Sequence, residues 1–306
     1  MSKIIVTGGA GFIGSAVIKH LLESGHEIFV IDNLSFGNRS FVPVDDAHFF
    51  IDDILNKNRM TAIFESVKPE AVIHLAAIHF IPYCNQHPFE SANINIQGTM
   101  NILNAAKLVK TKQVFFASTA AVYPICNEAV NELHETGPMD IYGLSKLACE
   151  NLCHEFFLET NITTIVCRFF NAFGPNETNP HLIPEIQNQV NAGLRKIKLG
   201  NLTPKRDFIH TYDMAAAVET LIDKLQSGFH IYNLGRGIEY SVTEIVEAFE
   251  RQLGDKIEIE IDQSRVRKVE RQHLLADVSK LKQLGWQPKW SIDDGVATMI
   301  ESKMKI

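Results

Sequence analysis

The chain has 306 residues, of which 45% are hydrophobic and 21% charged, enough for one large or two modest domains with a buried core. Its formal net charge of −7 argues against nucleic acid and anionic membrane surfaces as partners. The odd number of five cysteines, without regular spacing, argues against a secreted disulfide scaffold. Cys149 and Cys153 are four residues apart and are interpreted as packing residues rather than a metal pair, and no other Cys/His group has the spacing of a zinc site.

No apolar run reaches the roughly eighteen residues of a membrane span, so none is predicted. The apolar start, Ile4 to Val6, stops at Thr7-Gly8-Gly9, and no cleavage pattern of a signal peptide follows. We therefore expect a reduced protein of the cytoplasm.

Short apolar runs alternate with helical patterns through the first two thirds of the chain. The runs are rich in branched and aromatic residues and lack polar alternation, which is typical of strands buried on both faces. They are Lys3–Val6, Glu27–Ile31, Ala71–Leu75, Gln113–Ala117 and Thr163–Arg168. The helical stretches between them are Gly11–Ser24, Arg59–Val67, Glu90–Leu108 and Tyr142–Thr160. This alternation predicts an α/β fold, a Rossmann-type doubly wound parallel sheet with helices on both faces.

The pattern changes after Arg168. Asn171–Pro184 is rich in Asn, Gly and Pro and is predicted to be a loop. Further helices are predicted at Glu185–Ala192, Thr211–Leu225, Thr243–Leu253 and Ser279–Leu284, and strands at Phe229–Leu234 and Glu258–Ile261. Ser241 and Glu244 have the spacing of a capping box at the start of one of these helices. We expect this part to form a smaller α/β lobe that binds the substrate.

A glycine-rich segment follows the first predicted strand and opens the first predicted helix, which is the context of a dinucleotide-binding fingerprint. In it, Gly8 permits a tight turn, Gly11 lets the backbone approach a pyrophosphate, and Gly14 allows close packing of helix and strand. The amide groups at the helix start, including those of Phe12 and Ile13, would face the phosphates.

Asp32 ends the second predicted strand, at the distance expected for the residue that binds the adenine ribose. A carboxylate there accepts hydrogen bonds from ribose hydroxyls and repels a 2′-phosphate, so we predict NAD rather than NADP, with Asn33 as a further contact. Asp53 follows a third apolar run, His48–Ile51. It either reaches the adenine, with Ile54 beside it, or caps a helix.

Tyr142 and Lys146 are four residues apart at the start of a predicted helix and therefore share one face. The ammonium is expected to lower the pKa of the phenol from its ordinary value of about 10. Tyr142 would then accept a proton from a substrate hydroxyl as hydride leaves for nicotinamide, and Lys146 would also hold the nicotinamide ribose. Thr119, at the end of a predicted strand, would either hydrogen-bond that hydroxyl or serve as a turn or cap residue.

These features occur in a fixed order along the chain, and further motifs accompany them. The motifs are His74-Leu75-Ala76-Ala77, Asn95-Ile-Gln-Gly98-Thr99, Arg168-Phe-Phe-Asn171, Gly174-Pro175, Arg206-Asp207-Phe208-Ile209-His210, Ala276-Asp277-Val278-Ser279-Lys280 and Leu284-Gly285-Trp286. With them the chain resembles the extended short-chain dehydrogenase/reductase superfamily over nearly its whole length, specifically the nucleotide-sugar epimerases and dehydratases. The resemblance implies an NAD-binding domain of residues 1–170 and 207–236, and a nucleotide-sugar-binding lobe of residues 171–206 and 237–306.

The resemblance also implies roles for single residues on the cofactor side. Leu75, Ala76, Ala77 and Asn95 would line the cofactor, and Phe169 would flank the nicotinamide.

On the substrate side, a nucleotide-diphosphate sugar is the implied partner. Asn171 would contact its diphosphate, and Arg206 and Arg267 would clamp it, since a guanidinium suits bidentate phosphate contacts. The chain departs from the family after Arg267, where Lys268-Val269 replaces the usual Pro-Gly pair. Leu274 is of intermediate size at the position that limits the C2 substituent, so N-acetylated and plain hexoses both remain open.

The residues beside Thr119 bear on the reaction. The 4,6-dehydratases that the chain resembles carry Asp-Glu directly after this threonine, whereas here Ala120 and Ala121 cannot transfer protons. We therefore expect C4 epimerisation by transient oxidation to a 4-keto sugar and re-reduction. A dehydratase and a C4 dehydrogenase or 4-keto reductase remain alternatives, as does a non-catalytic NAD sensor. His79 is either a second acid/base or a hydrogen-bonded wall of the pocket.

A homodimer is implied by the resemblance alone. In such relatives the helices that correspond to Glu90–Leu108 and Tyr142–Thr160 form a four-helix interface.

Overall fold

The computed structural model of the chain describes residues 2–266 and 271–304, with side chains described up to residue 300. Its strands are β1 Lys3–Thr7, β2 Glu27–Asp32, β3 Phe49–Ile51, β4 Ala71–His74, β5 Gln113–Thr119, β6 Thr163–Phe169, β7 Asn171–Phe173, β8 Lys196–Leu199, β9 Lys205–His210, β10 Phe229–Leu234, β11 Glu239–Ser241 and β12 Glu258–Ile261. Its α-helices are α1 Phe12–Glu23, α2 Lys57–Val67, α3 Ile81–Gln86, α4 Pro88–Ala92, α5 Gly98–Leu108, α6 Ile141–Thr160, α7 Leu182–Asn191, α8 Thr211–Lys224, α9 Val242–Leu253, α10 Ser279–Lys282 and α11 Ile292–Met304.

The largest sheet has seven strands in the order β3-β2-β1-β4-β5-β6-β10, and every neighbouring pair in it is parallel. The direction of strand succession reverses between β1 and β4, which creates the crevice in which such sheets bind dinucleotides. The Rossmann-type fold predicted from the alternation of elements is therefore confirmed.

Helices cover both faces of this sheet, so its strands are apolar on both sides. Phe115 and Phe116 are neighbours on β5, yet they belong to two different buried clusters on opposite faces. Ile4 and Ile5, neighbours on β1, likewise belong to the two different clusters. Continuous apolar runs without polar alternation are the sequence signature of this burial.

Two small sheets follow β6. In one, β9 pairs in parallel with β7 and antiparallel with β11, and in the other β8 pairs in parallel with β12. They surround a third apolar cluster that includes Ile186, Ile197 and Phe249. The chain returns to the large sheet at β10. The domain boundaries given above stay a prediction.

The capping box at the start of α9 is present as predicted. The Ser241 hydroxyl accepts a hydrogen bond from the Glu244 amide at 3.3 Å, and the Glu244 carboxylate accepts one from the Ser241 amide at 2.7 Å. This reciprocal bonding satisfies two amides that a helix start otherwise leaves without a partner.

Several predicted elements differ from those observed. The segment predicted as a loop contains β7 and the first turn of α7, because Pro184 in a first turn interrupts no intrahelical bond. The single helix predicted over Glu90–Leu108 is divided by a π-helical turn, Asn93–Gln97. The elements that the pattern did not predict are α3, α11, β8, β9 and β11. None of the helices in the described ranges has the length and apolar character needed to cross a bilayer.

Candidate active site

A cleft of about 1310 Å³ opens where β1, β2, β4, β5 and β6 end. This carboxyl edge is where open parallel sheets bind their ligands. The cleft brings together most of the predicted site residues, from both the sheet and the later part of the chain. Those in its lining are Gly8, Gly11, Phe12, Ile13, Gly14, Asp32, Asn33, Asp53, Ile54, Leu75, Ala76, Ala77, His79, Thr119, Tyr142, Lys146, Phe169, Asn171 and Arg206. Asn95 is outside the lining, and Arg267 lies outside the described residues.

The glycine loop joins β1 to α1 in a conformation that larger residues do not fit. Gly8 has a φ of +69°, and a Cβ there would lie 2.7 Å from the Ala76 amide nitrogen. A Cβ on Gly14 would lie 2.2 Å from the Gly8 carbonyl oxygen. Gly11 is the N-cap of α1 and offers no side chain, so the first amides of the helix are left for a ligand in the cleft. This arrangement fits a pyrophosphate.

Asp32 stands at the end of β2 beside this loop. Its carboxylate accepts hydrogen bonds from the amides of Ala10 at 2.9 Å and Leu34 at 2.8 Å, which fix its orientation. Burial raises the pKa of Asp32, and the two hydrogen bonds offset part of that effect. A carboxylate has about four acceptor positions, so capacity remains for ribose hydroxyls. The site therefore fits NAD.

Asp53 serves mainly to organise the neighbouring loop. One carboxylate oxygen accepts a hydrogen bond from the Asn33 amide group at 2.9 Å, and the other accepts one from the Leu55 backbone at 2.8 Å. The helix that follows is capped by Asn56 instead. Asp53 thus lies in the cleft wall without acting as the N-cap of α2.

Tyr142 lies in the first turn of α6, where the Asp140 carboxylate caps the helix by accepting a hydrogen bond from the Gly143 amide at 2.8 Å. Thr119, the last residue of β5, hydrogen-bonds the phenol. Burial raises the pKa of Tyr142, and this hydrogen bond offsets only part of the rise. The lowering expected from the neighbouring ammonium is therefore not observed, and loss of solvation dominates the pKa of the phenol.

Lys146 is only 3% exposed and is directed at the backbone of β5. Its ammonium donates a hydrogen bond to the Ala117 carbonyl at 2.7 Å and lies 4.7 Å from the centre of the Phe116 ring. Burial lowers the pKa of Lys146 to about 8. Both members of the predicted pair are thus shifted towards their neutral forms by the same cause.

An ion pair supports the strand that carries Thr119. The Arg168 guanidinium donates to both carboxylate oxygens of Glu150, at 3.0 and 2.7 Å, and the Ser118 hydroxyl donates to the same carboxylate at 2.5 Å. Burial lowers the pKa of Arg168, but the hydrogen bond and charge of Glu150 outweigh it, leaving that pKa above its ordinary value. This network joins the ends of β5 and β6 to α6.

Asn95, for which the resemblance implied a cofactor-lining role, lies outside the cleft lining. It is 2% exposed, and its amide oxygen accepts a hydrogen bond from the Ile78 backbone at 2.8 Å. Its amide nitrogen donates to the Ile78 carbonyl at 3.0 Å and to the Ser145 hydroxyl at 2.9 Å. Both polar ends are therefore used to hold the segment after β4 against α6.

The side of the cleft assigned to substrate contains Asn171, at the start of β7, and Arg206, on β9. The structure adds Arg271, which lines the cleft and donates a hydrogen bond to the Tyr123 carbonyl at 2.8 Å. Burial lowers the pKa of Arg271. Arg265 also lines the cleft, but its guanidinium is bound to the Glu185 carboxylate at 2.8 Å.

Ala120 and Ala121 form a short 3-10 turn directly after Thr119, and both line the cleft. The two positions that carry acids in the dehydratases therefore present methyl groups to the cleft. Proton transfer to or from a sugar has no side-chain donor at these two places.

His79 lies after β4 and faces a loop for which no function was predicted from the sequence. Its Nε2 atom is 3.1 Å from the Asn179 amide nitrogen, and its ring centre is 6.0 Å from that of His181. The protein atoms around the ring reduce its solvation, which lowers the pKa of His79. The charges of His181 and Lys146 lower it further, to about 4. His181 in turn pairs with the Glu177 carboxylate at 2.9 Å. No local sequence signal connected these residues, because Asn179 is 100 positions from His79.

Comparison with known proteins agrees with this geometry. Residues 4–235 match the family described as the NAD dependent epimerase/dehydratase family. The chain is 32% identical to the UDP-glucose 4-epimerase of Yersinia enterocolitica over 320 residues, covering 95% of this chain and 94% of that protein. It is 29% identical to the solved UDP-glucose 4-epimerase of Brucella ovis in complex with NAD, with a TM-score of 0.90 over 99% of this chain and 98% of that one. For the Thermotoga maritima UDP-glucose 4-epimerase with UDP-glucose, the identity is 27% and the TM-score 0.90, over 99% of both chains.

These similarities extend over nearly the whole chain, and they confirm the resemblance and the NAD cofactor predicted from the sequence. The chain belongs to the NAD dependent epimerase/dehydratase family.

Proposed function

We propose that this protein is an NAD-dependent nucleotide-sugar C4-epimerase that acts on a UDP-sugar. The observation that carries the proposal is the position of Tyr142 and Thr119 in one cleft with the glycine loop, beside the methyl groups of Ala120 and Ala121. The relatives named UDP-glucose 4-epimerase supply the choice of UDP.

In this reaction Tyr142 accepts the proton of the C4 hydroxyl, while Thr119 holds that hydroxyl in place. Lys146 stabilises the phenolate through its positive charge. Bound NAD supplies the acceptor of the C4 hydride and its donor in the return step. Tyr142 gives the proton back once the 4-keto sugar has turned its other face, which inverts C4.

The phosphates and the rest of the substrate are held by other residues. Asn171, Arg206 and Arg267 are proposed to hold the diphosphate, as the resemblance implies. The cleft volume of about 1310 Å³ exceeds the roughly 300–1000 Å³ of ordinary small-molecule pockets. This size supports a site for two ligands, a dinucleotide and a nucleotide sugar.

The test is to incubate the purified protein with a panel of UDP-, GDP-, TDP- and CDP-sugars and to identify the products by NMR. We expect inversion at C4 of a UDP-sugar without net formation or consumption of NADH. Loss of water from the sugar would identify a dehydratase, and stoichiometric NADH formation or use would identify a dehydrogenase or a ketoreductase. Either result would overturn the proposal, and absence of turnover on the whole panel would favour an NAD sensor.

A substitution tests the role of the phenol directly. Tyr142→Phe is expected to lower kcat by about 10²–10⁴-fold, the range of general acid–base catalysis, with dinucleotide still bound. Tyr232→Phe is the matched control, since this tyrosine is buried on β10 and lies outside the cleft lining. Normal turnover by Tyr142→Phe would refute the assignment.

We also propose that the protein is a homodimer. Large apolar side chains are exposed on the helices expected to form the interface: Leu144 (54%) and Leu158 (60%) on α6, and Leu108 (55%) on α5. Leu144 and Leu158 are nearly four helical turns apart and so share one side of α6. Their shared side of α6, on a helix that forms the interface in relatives, supports an association surface there.

Analytical ultracentrifugation tests this assembly. We expect a dimer for the wild type and a monomer for Leu158→Asp. Leu133→Asp is the control, because Leu133 is 94% exposed but lies outside these helices. A monomeric wild type at micromolar concentration would contradict the proposal.

The compartment proposed for the enzyme is the cytoplasm. All five cysteines are free thiols. Burial raises the pKa of Cys149, Cys153 and Cys167, which keeps these three protonated and unreactive. Unpaired thiols suit a reducing compartment, and fractionation of cells that express the native chain tests the location.

A further inference from the structure

We propose that His79, Glu177 and His181 form a binding site for a divalent transition-metal ion at the wall of the cleft. One ligand atom from each residue lies within 4.8 Å of the other two. The three residues come from two segments, the one after β4 and the one before α7, which meet only in the folded chain. All three line the cleft.

The orientation of His79 is the first support for the site. The Asn179 amide nitrogen lies 3.1 Å from its Nε2 atom, so Nε2 accepts that hydrogen bond, and the ring also hydrogen-bonds the backbone of Ala77. Metal-binding histidines commonly donate one ring N–H to a backbone carbonyl and bind the metal through the lone pair of the other nitrogen. Here that lone pair, on Nε2, accepts the hydrogen bond from Asn179, which a bound metal ion would displace. His79 therefore has the supporting contact of a ligand.

The burial of Glu177 is the second support. Its side chain is 3% exposed, and its carboxylate faces the ring of His181 at 2.9 Å. A carboxylate removed from water is costly unless hydrogen bonds or a positive charge compensate it. A cation held between Glu177 and the two imidazoles would supply that charge at the point where the ligand atoms converge.

His181 has a fixed position in the cluster. It is the N-cap residue of α7, and its ring packs edge-on against Phe80, with the ring centres 5.5 Å apart. The ligand therefore projects from the end of a helix rather than from a free loop, and its rotation is restricted on one side by an aromatic ring. Such restriction favours a defined coordination geometry.

The ligand set indicates which ions would bind. Two imidazoles and one carboxylate suit Zn²⁺, Co²⁺ or Ni²⁺ better than Mg²⁺ or Ca²⁺, which prefer oxygen ligands. With metal–ligand bonds of about 2.0–2.2 Å, the ligand atoms of a tetrahedral site lie roughly 3.4 Å apart. Small side-chain rotations would bring the ligand atoms, which lie within 4.8 Å of one another, to this separation. Three protein ligands leave a coordination position open for an oxygen atom of a molecule in the cleft.

Cobalt binding tests the site without depending on catalysis. Full-length protein without a histidine tag, isolated with its dinucleotide, is titrated with Co²⁺ and followed by visible absorption. We expect one equivalent of Co²⁺ to bind. The spectrum of the bound ion should show the absorption bands of nitrogen and oxygen ligation and no thiolate charge-transfer band. Isothermal titration with Zn²⁺ gives the affinity.

Substitution of each ligand locates the ion. His79→Ala, Glu177→Gln and His181→Ala are each expected to weaken Co²⁺ binding at least tenfold. His20→Asn is the matched control, because His20 forms an isolated pair with Glu219 at 2.7 Å and has no third ligand nearby in the described residues. Retention of dinucleotide by each variant shows that it is folded.

The proposal would be overturned if the wild type bound no Co²⁺, if a thiolate band appeared, or if the three variants bound as tightly as His20→Asn. None of these results bears on epimerase activity, which is measured separately.

Discussion

Replacing Lys146 by methionine should stabilise the protein at neutral pH while removing a group that catalysis needs. The pKa of Lys146 is lowered from 10.5 to about 8 by burial. Since one pKa unit corresponds to about 1.4 kcal/mol, keeping the ammonium buried costs about 3 kcal/mol. Methionine removes this cost and fills the same apolar space, but it loses the hydrogen bond to Ala117, worth about 1 kcal/mol. The expected net gain at pH 7 is about 2 kcal/mol.

The difference in stability between Lys146→Met and the wild type changes sign with pH. The folded-state pKa of Lys146 lies below the unfolded value, so the folded chain binds fewer protons between pH 8 and 10.5 and the wild type gains stability as pH rises through that window. Above pH 10.5 the lysine is neutral in both states, and only the lost hydrogen bond separates the two proteins. Lys146→Met is therefore expected to be more stable than the wild type at pH 7 and less stable, by about 1 kcal/mol, above pH 10.5.

Urea unfolding of both proteins from pH 7 to 11, without added dinucleotide, measures the pH at which their free energies of unfolding become equal. Lys57→Met, at an exposed lysine in the first turn of α2, is the control and should show no such pH dependence. Epimerase assays on the same samples should show a loss of at least 10²-fold for Lys146→Met. A variant less stable than the wild type at every pH would refute the reasoning that burial of the charge dominates.

Two further substitutions test the framework of the site. Glu150→Gln leaves the Arg168 guanidinium buried without its countercharge, so urea unfolding should show a loss of about 3–5 kcal/mol; a loss below about 1 kcal/mol would contradict the assigned role of the pair. Gly14→Ala places a carbon 2.2 Å from the Gly8 carbonyl oxygen and should abolish dinucleotide retention. Gly137→Ala, where the added carbon would lie 3.3 Å from Pro124, should retain the dinucleotide, as judged by release on denaturation.

The sheet and its cofactor edge were predictable because their determinants are local. Buried parallel strands read as continuous apolar runs, and the glycine loop combines a turn and a helix start within one segment. The short strands β7 and β11 were not predictable in the same way. Each has three residues and is defined by pairing with β9, so its determinants lie elsewhere in the chain.

The residues of the site also divide into those with local determinants, which could be predicted, and those that depend on distant segments. Tyr142 and Lys146 share one helical turn, so their proximity could be inferred from spacing alone. The cluster of His79, Glu177 and His181 depends on contact between a segment after β4 and a loop before α7. The bonds of Asn95 likewise depend on distant segments: it lies in a π-helical turn, and its amide binds Ile78 and Ser145.

Burial also makes Tyr142 and Lys146 sensitive to charges that enter the cleft. Burial raises the pKa of Tyr142 and lowers the pKa of Lys146 to about 8, so both groups are biased towards neutrality by the protein around them. A cleft of low effective dielectric makes each group more sensitive to any charge that enters it than the same group in water. A positive charge in the cleft therefore lowers the pKa of both groups. The proton affinity of the Tyr142 phenol would then depend on the charge of the molecule bound in the cleft.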